Sequence, residues 1–351
     1  APEGVRDVMR REIDQPENRG YADNGILEFK ESVASFMERE FQVVLDPNKE
    51  INHCIGSKTA YAMLPAACIN PGDVTLMTVP GYPVAGTATQ WLGGEVYKIP
   101  LSPENNFLPD LESIPSNILS RSKILVLCYP NSPTGKTATV EFYEKVVEFA
   151  KKNRIIVVQD AAHMMLSYET APLSFLSIEG AKDVGVEVHS MSKGFHMIGW
   201  RLGWVCGHEK IVQAFADVKD NCDSGQFIAI QKAAAAALGD PHIPHQVREK
   251  YRRRLEKLVG VLRSVGFECE MPGGTYFLYT KSPKGAGDQS FANASEAGQF
   301  LIKELSISTV PWDDCGAFTR FSVTYEAHDE TAENELMADL HSRLTQAQLK
   351  F

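Results

Sequence analysis

The sequence predicts an α/β fold, with a mostly parallel sheet in a larger domain and a second, smaller α+β domain. Short apolar runs recur through the first two thirds of the chain and are nearly continuous, which is typical of strands buried on both faces of a parallel sheet. Helical patterns lie between these runs, and such strand–helix alternation predicts a doubly wound sheet. The predicted strands of this part are Val74–Val79, Ile124–Tyr129, Ile155–Val158, Val184–Val188 and Leu202–Cys206.

Helical periodicity supports the elements between and after these strands. Val140–Lys152 carries apolar residues at helical spacing, with acidic residues early and lysines late, as the helix dipole favours. After Gly239, Gln246–Val265 forms one long amphipathic pattern, and Gly266 is a plausible stop. The elements predicted to complete the smaller domain are strands at Thr275–Thr280, Ser308–Val310 and Arg320–Thr324 and a helix near Thr331–Leu344.

Composition argues against several kinds of partner. The formal net charge of −10 over 351 residues disfavours nucleic acid and anionic membrane surfaces. No apolar stretch approaches the ~20 residues of a membrane span. The seven cysteines are odd in number and form no CxxC motif, so we expect reduced thiols and a cytoplasmic location. The chain starts without Met, and we expect that N-terminal sequence is missing.

Residues of complementary chemistry follow four of the predicted strands. The four segments are Pro80–Pro83, Pro130–Gly135, Asp160–His163 and Ser190–Lys193. Ligands of open α/β sheets bind at the carboxyl ends of the strands, so these segments are expected to meet at one edge. An aromatic ring, a small polar turn, an acid and a lysine with hydroxyls suit a flat, basic, phosphorylated heterocycle. Each residue alone is more often a packing or solvent-facing residue, and the joint arrangement is what predicts the site.

Each of these residue types has a defined chemical role in such a site. Lys193 can form an imine with an aldehyde if its surroundings lower its pKa. Asp160 can keep a pyridine nitrogen protonated, so that the ring withdraws electrons, and Tyr82 offers a flat face for stacking. The groups expected to bind the phosphate are Ser190, Ser192, Arg201 and the segment Gly56-Ser57-Lys58 ahead of the helical pattern Thr59–Ile69.

The same motifs resemble those of class I and II aminotransferases over nearly the whole chain. Ser190–Lys193 with Gly199–Gly203 resembles the family signature S-x-S-K…G-x-R-x-G, and Pro130–Gly135 resembles its P-N-N-P-T-G turn. Asp160–Ala162 resembles its D-x-A/D-A-Y strand end, and Pro272–Tyr279 its entry to the small domain. The resemblance implies the aspartate-aminotransferase fold (fold type I), pyridoxal 5′-phosphate as cofactor, and a homodimer. It also implies a large domain at residues 27–240 and a small domain formed by residues 1–26 and 241–351.

The resemblance further implies how the substrates are bound. Arg320 matches the arginine that grips the substrate α-carboxylate, and Tyr82 lies against the substrate as well as the cofactor. Tyr21, which with Gly25 resembles a family segment ahead of a helix, would reach the phosphate of the partner's cofactor and the substrate. Segments similar to LL-diaminopimelate aminotransferases are Gly20–Gly25, Asn105–Leu111 and Val218–Phe227. That likeness implies transfer of an amino group between LL-diaminopimelate and 2-oxoglutarate in lysine biosynthesis.

Two residues depart from the family pattern. Ser132 stands where the family usually has Asn, and His163 where it usually has Tyr, and both usual residues hydrogen-bond the ring oxygen of the cofactor. The site is therefore modified, and a lyase or an oxygen-using amino-acid oxidase on the same fold is an alternative to an aminotransferase. A non-catalytic cofactor-binding module is a third alternative, against which the intact Lys193 and Asp160 argue. The glycine-containing N-terminal loop that covers the substrate in the family is not found before Ala1, and we expect the chain to lack it.

The histidines are not expected to bind a metal. His242 and His245 are separated by Pro244 and have no acidic or cysteine partner nearby in the sequence. His189 and His196 flank the predicted cofactor lysine, and both are expected to pack locally or to face solvent.

Overall fold

A seven-stranded sheet forms the centre of the computed structural model, which describes all residues from 1 to 351. The five strands β2 to β6 run parallel, and β7 is antiparallel to both of its neighbours, β6 and β1. The spatial order is β1-β7-β6-β5-β4-β2-β3. The strands are β1 (Ile51–Cys54), β2 (Val74–Val79), β3 (Glu95–Pro100), β4 (Ser122–Cys128), β5 (Ile156–Asp160), β6 (Gly185–Ser190) and β7 (Gly203–Gly207).

Helices cover both faces of this sheet, as the continuous apolar character of its strands requires. One face packs against α2, α6 and α8 through the largest core cluster, and the other packs against α3, α4 and α7. The helices are α1 (Glu3–Ile13), α2 (Leu27–Phe41), α3 (Ser57–Cys68), α4 (Val84–Trp91), α5 (Ser116–Leu119), α6 (Val140–Asn153), α7 (Glu209–Lys219), α8 (Ile228–Gly239), α9 (His242–Ser264), α10 (Ala294–Leu305) and α11 (Glu330–Gln346).

The ends of α6 show how local sequence sets an element. The Thr139 hydroxyl accepts a hydrogen bond from the Phe142 amide at 3.2 Å and so caps the helix, while Arg154 ends it in a left-handed conformation at φ 55°. Phe142 and Val146 are buried against the sheet. Burying such a side chain contributes about 1.5–3 kcal/mol, so packing decides where this helix lies.

The last part of the chain forms a second core around α9. This cluster is separate from the two beside the central sheet and joins α9 to α11 and to an antiparallel sheet ordered β11-β12-β8. Arg254 and Glu333 form a buried ion pair there at 2.7 Å. Burial opposes ionisation of Glu333, but hydrogen bonds from Arg253, Arg254 and Lys257 outweigh it and lower its pKa to about 2. The strands are β8 (Phe277–Lys281), β9 (Gly285–Ala286), β10 (Gln289–Ser290), β11 (Val310–Trp312), β12 (Phe318–Ser322) and β13 (Leu349–Lys350).

The N-terminal helix packs on the larger part of the molecule. Helix α1 lies along α8, and Val5 is buried in the same cluster that covers the central sheet. The apolar side of α1 packs against the alanine-rich α8, and the assignment of residues 1–26 to the smaller domain stays a prediction. The division at residues 27–240 and 241–351 stays a prediction.

The predicted α/β class is confirmed, and most predicted elements appear within a few residues of their expected bounds. Strand β2 has the predicted bounds, whereas α9 starts at His242 rather than Gln246. Strands β1 and β3 were not expected from the apolar pattern, because β3 is half exposed at the sheet edge and β1 is only four residues long. None of the helices combines the length and the apolar character needed to cross a membrane.

Candidate active site

Lys193 lies just beyond the end of β6, between the two parts of the molecule. Its Nζ donates a hydrogen bond to the hydroxyl of Tyr276 at 2.5 Å. Burial lowers the pKa of Lys193; Asp160 opposes this effect, while the nearby cations Arg201 and Arg320 add to it. The surroundings therefore shift Lys193 toward the neutral amine, which is the form that attacks an aldehyde.

Asp160 ends β5, the strand next to β6, and is buried. Its Oδ1 accepts a hydrogen bond from the Ala162 amide at 2.9 Å. Burial raises the pKa of Asp160 to about 6, although this hydrogen bond opposes the rise. A protonated ring nitrogen beside the carboxylate would offset the cost of burying the charge.

The start of α3 and the guanidinium of Arg201 form a cradle for an anion. Gly56 precedes α3 with φ 73°, and a Cβ at this position would lie 2.2 Å from Nη2 of Arg201. Nη1 of Arg201 donates to the Ser192 hydroxyl at 3.2 Å, and no carboxylate pairs with this arginine. Free helix N–H groups and an unpaired cation together fit a phosphate.

The predicted phosphate ligands differ in how closely the structure joins them to this cradle. Ser190 and Ser192 are buried, and the Ser190 hydroxyl accepts from the Ser192 amide at 3.1 Å. Ser57 is the first residue of α3, whereas Lys58 beside it is exposed and makes no hydrogen bond. Gln226, which was not predicted, donates to the backbone carbonyls of Trp200 and Arg201 at 2.6 and 2.8 Å and so holds the Arg201 backbone in place.

Tyr82 stands just after β2 with 39% of its surface exposed, so its ring is available for stacking. It shares a small cavity with Asp160 and Tyr61. The two tyrosine rings meet edge to face at 6.1 Å. The hydroxyl of Tyr61 is buried beside Asp160, and it helps to lower the pKa of that carboxyl against the effect of burial. Tyr61 lies inside a helical pattern, where nothing in the sequence distinguishes it from a packing residue.

The two residues that depart from the family pattern occupy the same region. His163 is buried, and burial, with Lys193 and Arg320 nearby, lowers its pKa to about 3, so its ring is neutral. Its Nδ1 has no partner. Ser132 is half-buried in the turn after β4, and that turn is held by Asn131, whose Oδ1 accepts from the Thr134 hydroxyl at 2.8 Å.

Arg320 lies on β12 and faces the site from the smaller part of the molecule. Its Cζ is 3.9 Å from the centre of the Phe277 ring. Its Nε is buried without a partner, and no carboxylate forms an ion pair with it. Burial lowers the pKa of Arg320. A half-buried guanidinium with free donors fits a substrate carboxylate, which it would bind through two parallel hydrogen bonds.

Tyr21 is not part of the site formed by its own chain, since 86% of it is exposed. The segment that carries it is nevertheless held firmly. Lys219 is fully buried, donates to the Asp23 carbonyl oxygen, and pairs with Asp223 at 2.5 Å. Asn24 adds a hydrogen bond to Asp220 at 2.7 Å. The segment therefore presents Tyr21 outward from a fixed base.

The histidines that flank Lys193 in sequence have other environments. His189 is buried, stacks on Trp204 at 4.8 Å and lies 2.8 Å from an oxygen of Glu187. The ring of His196 meets the edge of Tyr251 at 5.4 Å. Both therefore pack locally, as the sequence predicts.

The chain is similar to known proteins over its whole length. The family model described as aminotransferase class I and II matches residues 2–339. The LL-diaminopimelate aminotransferase of Methanocaldococcus jannaschii is 54% identical over 359 residues, covering 100% of this chain and 86% of that protein. The enzyme of the same name from Methanococcus maripaludis is 50% identical over 358 residues, with the same two shares covered.

Solved structures agree in fold. The substrate-bound structure of BacF from Bacillus subtilis superposes with a TM-score of 0.93 at 30% identity, covering 100% of this chain and 88% of that one. A single mutant of aspartate aminotransferase from Thermus thermophilus gives a TM-score of 0.87 at 26% identity, over 97% of this chain and 88% of the other. The fold around the site is thus the one found in these proteins.

Proposed function

The chain belongs to the class I and II aminotransferases, and from that membership we propose that it moves an amino group from LL-diaminopimelate to 2-oxoglutarate. It is a transaminase that uses pyridoxal 5′-phosphate, and it has the aspartate-aminotransferase fold. The identity of 54% to the LL-diaminopimelate aminotransferase of M. jannaschii is the observation that carries the choice of substrate. Lysine biosynthesis is the corresponding proposed role.

The residues at the sheet edge fit the cofactor. Lys193 would bind its aldehyde, Asp160 would face its ring nitrogen, and Tyr82 would lie against its ring. The groups that would hold its phosphate are Arg201, Ser190, Ser192 and the N–H groups at Ser57 and Lys58. When bound, the cofactor supplies a ring that withdraws electrons from the substrate Cα.

The protein contributes positioning and proton transfer. Arg320 binds the α-carboxylate of the substrate and so orients the Cα–H bond. Lys193 would act as the general base that removes the proton from the substrate Cα. Burial lowers the pKa of Lys193, which shifts it toward the unprotonated form that can accept this proton. Asp160 keeps its negative charge beside the ring nitrogen throughout.

Two further proposals concern assembly and location. A homodimer is supported by Tyr21, which is 86% exposed on a segment anchored by the buried Lys219. Sedimentation of the purified protein at about twice the mass of one chain would support this, and a monomer that stays active would contradict it. We propose a cytoplasmic location because all seven cysteines are free.

The substrate assignment is tested by an amino-donor screen. The holoenzyme is mixed with 2-oxoglutarate and one donor at a time, and the glutamate formed is measured. LL-diaminopimelate should be the best donor by kcat/KM among a panel that includes aromatic amino acids and aspartate. A Lys193→Ala variant is the control and should form no glutamate. Preference for another donor by tenfold or more would overturn the substrate while leaving the transaminase unaffected.

The alternative of a lyase or an oxidase is motivated by Ser132 and His163. It is tested by supplying LL-diaminopimelate without any keto acid. A transaminase stops after one turnover per site, because it has no acceptor for the amino group. Continued release of keto acid would instead favour the alternative reaction, and an unchanged cofactor spectrum with every donor would favour a non-catalytic module.

A further inference from the structure

Tyr276 contacts the reacting nitrogen of the site directly. Its hydroxyl accepts the hydrogen bond from Lys193 Nζ at 2.5 Å, and this nitrogen also lies 5.1 Å from the centre of the tyrosine ring. The hydroxyl donates to no protein group. One proton of Tyr276 is therefore free for an acceptor that the protein itself does not supply.

The position of Tyr276 is fixed from several sides. Thr275, the preceding residue, is fully buried with φ 70°, and its carbonyl accepts from the Tyr168 hydroxyl at 2.5 Å. The Tyr276 ring contacts Tyr251 at 5.2 Å and Phe277 at 4.6 Å. The hydroxyl is thus held in place before any ligand binds, which is what a group that acts on a reacting atom requires.

Tyr276 also lies beside the residue that departs from the family pattern. Its ring meets His163 edge to face at 5.2 Å. The family's usual phenol at position 163 is absent. The phenol of Tyr276, the residue directly before β8, lies next to that position instead. The hydrogen-bonding group has not been lost from this region; a different part of the chain provides it.

Protonation states agree with a donor role for this hydroxyl. Burial raises the pKa of Tyr276 to about 12, although Arg320 opposes the rise. Tyr276 therefore keeps its proton at neutral pH. His163 is neutral because burial lowers its pKa to about 3. Because the protonated phenol also contacts Lys193 Nζ, it is placed to act as the donor.

We propose that Tyr276 is a catalytic residue, whose hydroxyl hydrogen-bonds the nitrogen of Lys193 and donates its own proton to the ring oxygen of the cofactor. It takes over the part of the phenol that position 163 lacks. This inference rests on the proposed function, because it requires the cofactor to be bound at Lys193.

The test is a spectroscopic pH titration of the holoenzyme. The absorption band of the bound cofactor is followed against pH in the natural protein and in Tyr276→Phe. The titrating group is the imine between Lys193 and the cofactor. A donor to the ring oxygen stabilises the unprotonated imine, in which that oxygen carries more negative charge. Removing the hydroxyl should therefore raise the pKa of the band by about one to two units, the value of a hydrogen bond to a charged oxygen.

Two further variants separate this role from a structural one. Tyr251→Phe removes a neighbouring phenol hydroxyl that does not contact Lys193, and it should leave the pKa of the band unchanged. The double variant Tyr276→Phe/His163→Tyr should bring the pKa at least halfway back to its natural value, because it returns a phenol to position 163. Rescue of this kind is not expected if Tyr276 matters only for packing.

The outcomes are distinct. A Tyr276→Phe band whose pKa lies within about 0.3 unit of the natural one would refute the proposal. If Tyr276→Phe does not fold, the single variant His163→Tyr decides. If Tyr276 already donates to the ring oxygen, the new phenol should change the pKa of the band little. If no group donates to that oxygen, the new phenol should lower the pKa by about one to two units, which would refute the proposal. A natural protein that binds no cofactor would refute the proposed function itself.

Discussion

The substitution Gly56→Ala tests the phosphate cradle most directly. Gly56 has φ 73° and ψ 154°, a region open almost only to glycine, and adopting it costs another residue about 1–3 kcal/mol. The added Cβ would lie 2.2 Å from Nη2 of Arg201, so the guanidinium must move. Losing one charge-assisted hydrogen bond to the phosphate costs about 1.5–3 kcal/mol, which corresponds to a roughly 10- to 150-fold higher Kd for the cofactor.

The assay is equilibrium binding of pyridoxal 5′-phosphate to apoenzyme, followed by absorbance and by retention after dialysis. Gly199→Ala is a matched control, because this glycine lies two residues from Arg201, has no positive φ and has no atom within 4 Å of an added Cβ. It should bind the cofactor as the natural protein does. The reasoning is wrong if Gly56→Ala binds within twofold of the natural protein, or if the two glycine variants weaken binding equally.

Two stability predictions follow from buried charges. The pKa of Asp160 in the folded protein is about 6, above its ordinary value of 3.8. The apoenzyme therefore loses stability as Asp160 ionises while the pH rises through 6, and this loss is absent below about pH 3.8. Asp160→Asn should therefore raise the free energy of unfolding of the apoenzyme, measured in urea, by roughly 2–3 kcal/mol at pH 8 and by little at pH 4. Equal stability of the variant and the natural protein at pH 8 would contradict this. Lys219→Met leaves Asp223 and the Asp23 carbonyl without their buried partner, and should lower the free energy of unfolding by about 3–5 kcal/mol. The exposed Lys210→Met on the same helix should change it by less than about 0.5 kcal/mol, and a similar loss in both variants would show that the buried pair has no special role.

Local patterns were enough to predict the fold class and the residues at the strand ends. Strand β2 was predicted with its observed bounds because it holds only apolar and β-branched residues and a proline follows it. Asp160 and Lys193 stand at strand ends, where a parallel sheet places its ligand, so their positions along the chain already imply that they meet. Arg201 was found for a similar reason, since its glycine-flanked motif lies within ten residues of the lysine.

The half-exposed edge strand β3 and the short β1 could not be predicted from apolar runs. Tyr61 was missed because a buried aromatic residue in a helix is ordinarily a core residue, and only the position of its hydroxyl in the cavity beside Asp160 distinguishes it. Periodicity also does not show that α1 packs on α8. Periodicity shows that a helix has an apolar face. What that face packs against depends on the shape of the partner surface.

By itself, the sequence determined the chemistry available at the sheet edge: a lysine, an acid, a stacking ring and an arginine, each tied to a strand by a few residues of chain. Only the tertiary structure decided that Tyr276 touches Lys193, that Gly56 makes room for Arg201, and that Lys219 anchors the segment of Tyr21. These contacts join residues far apart in the chain. They form because two cores pack around a common edge, and burial there both brings the groups together and shifts their pKa values.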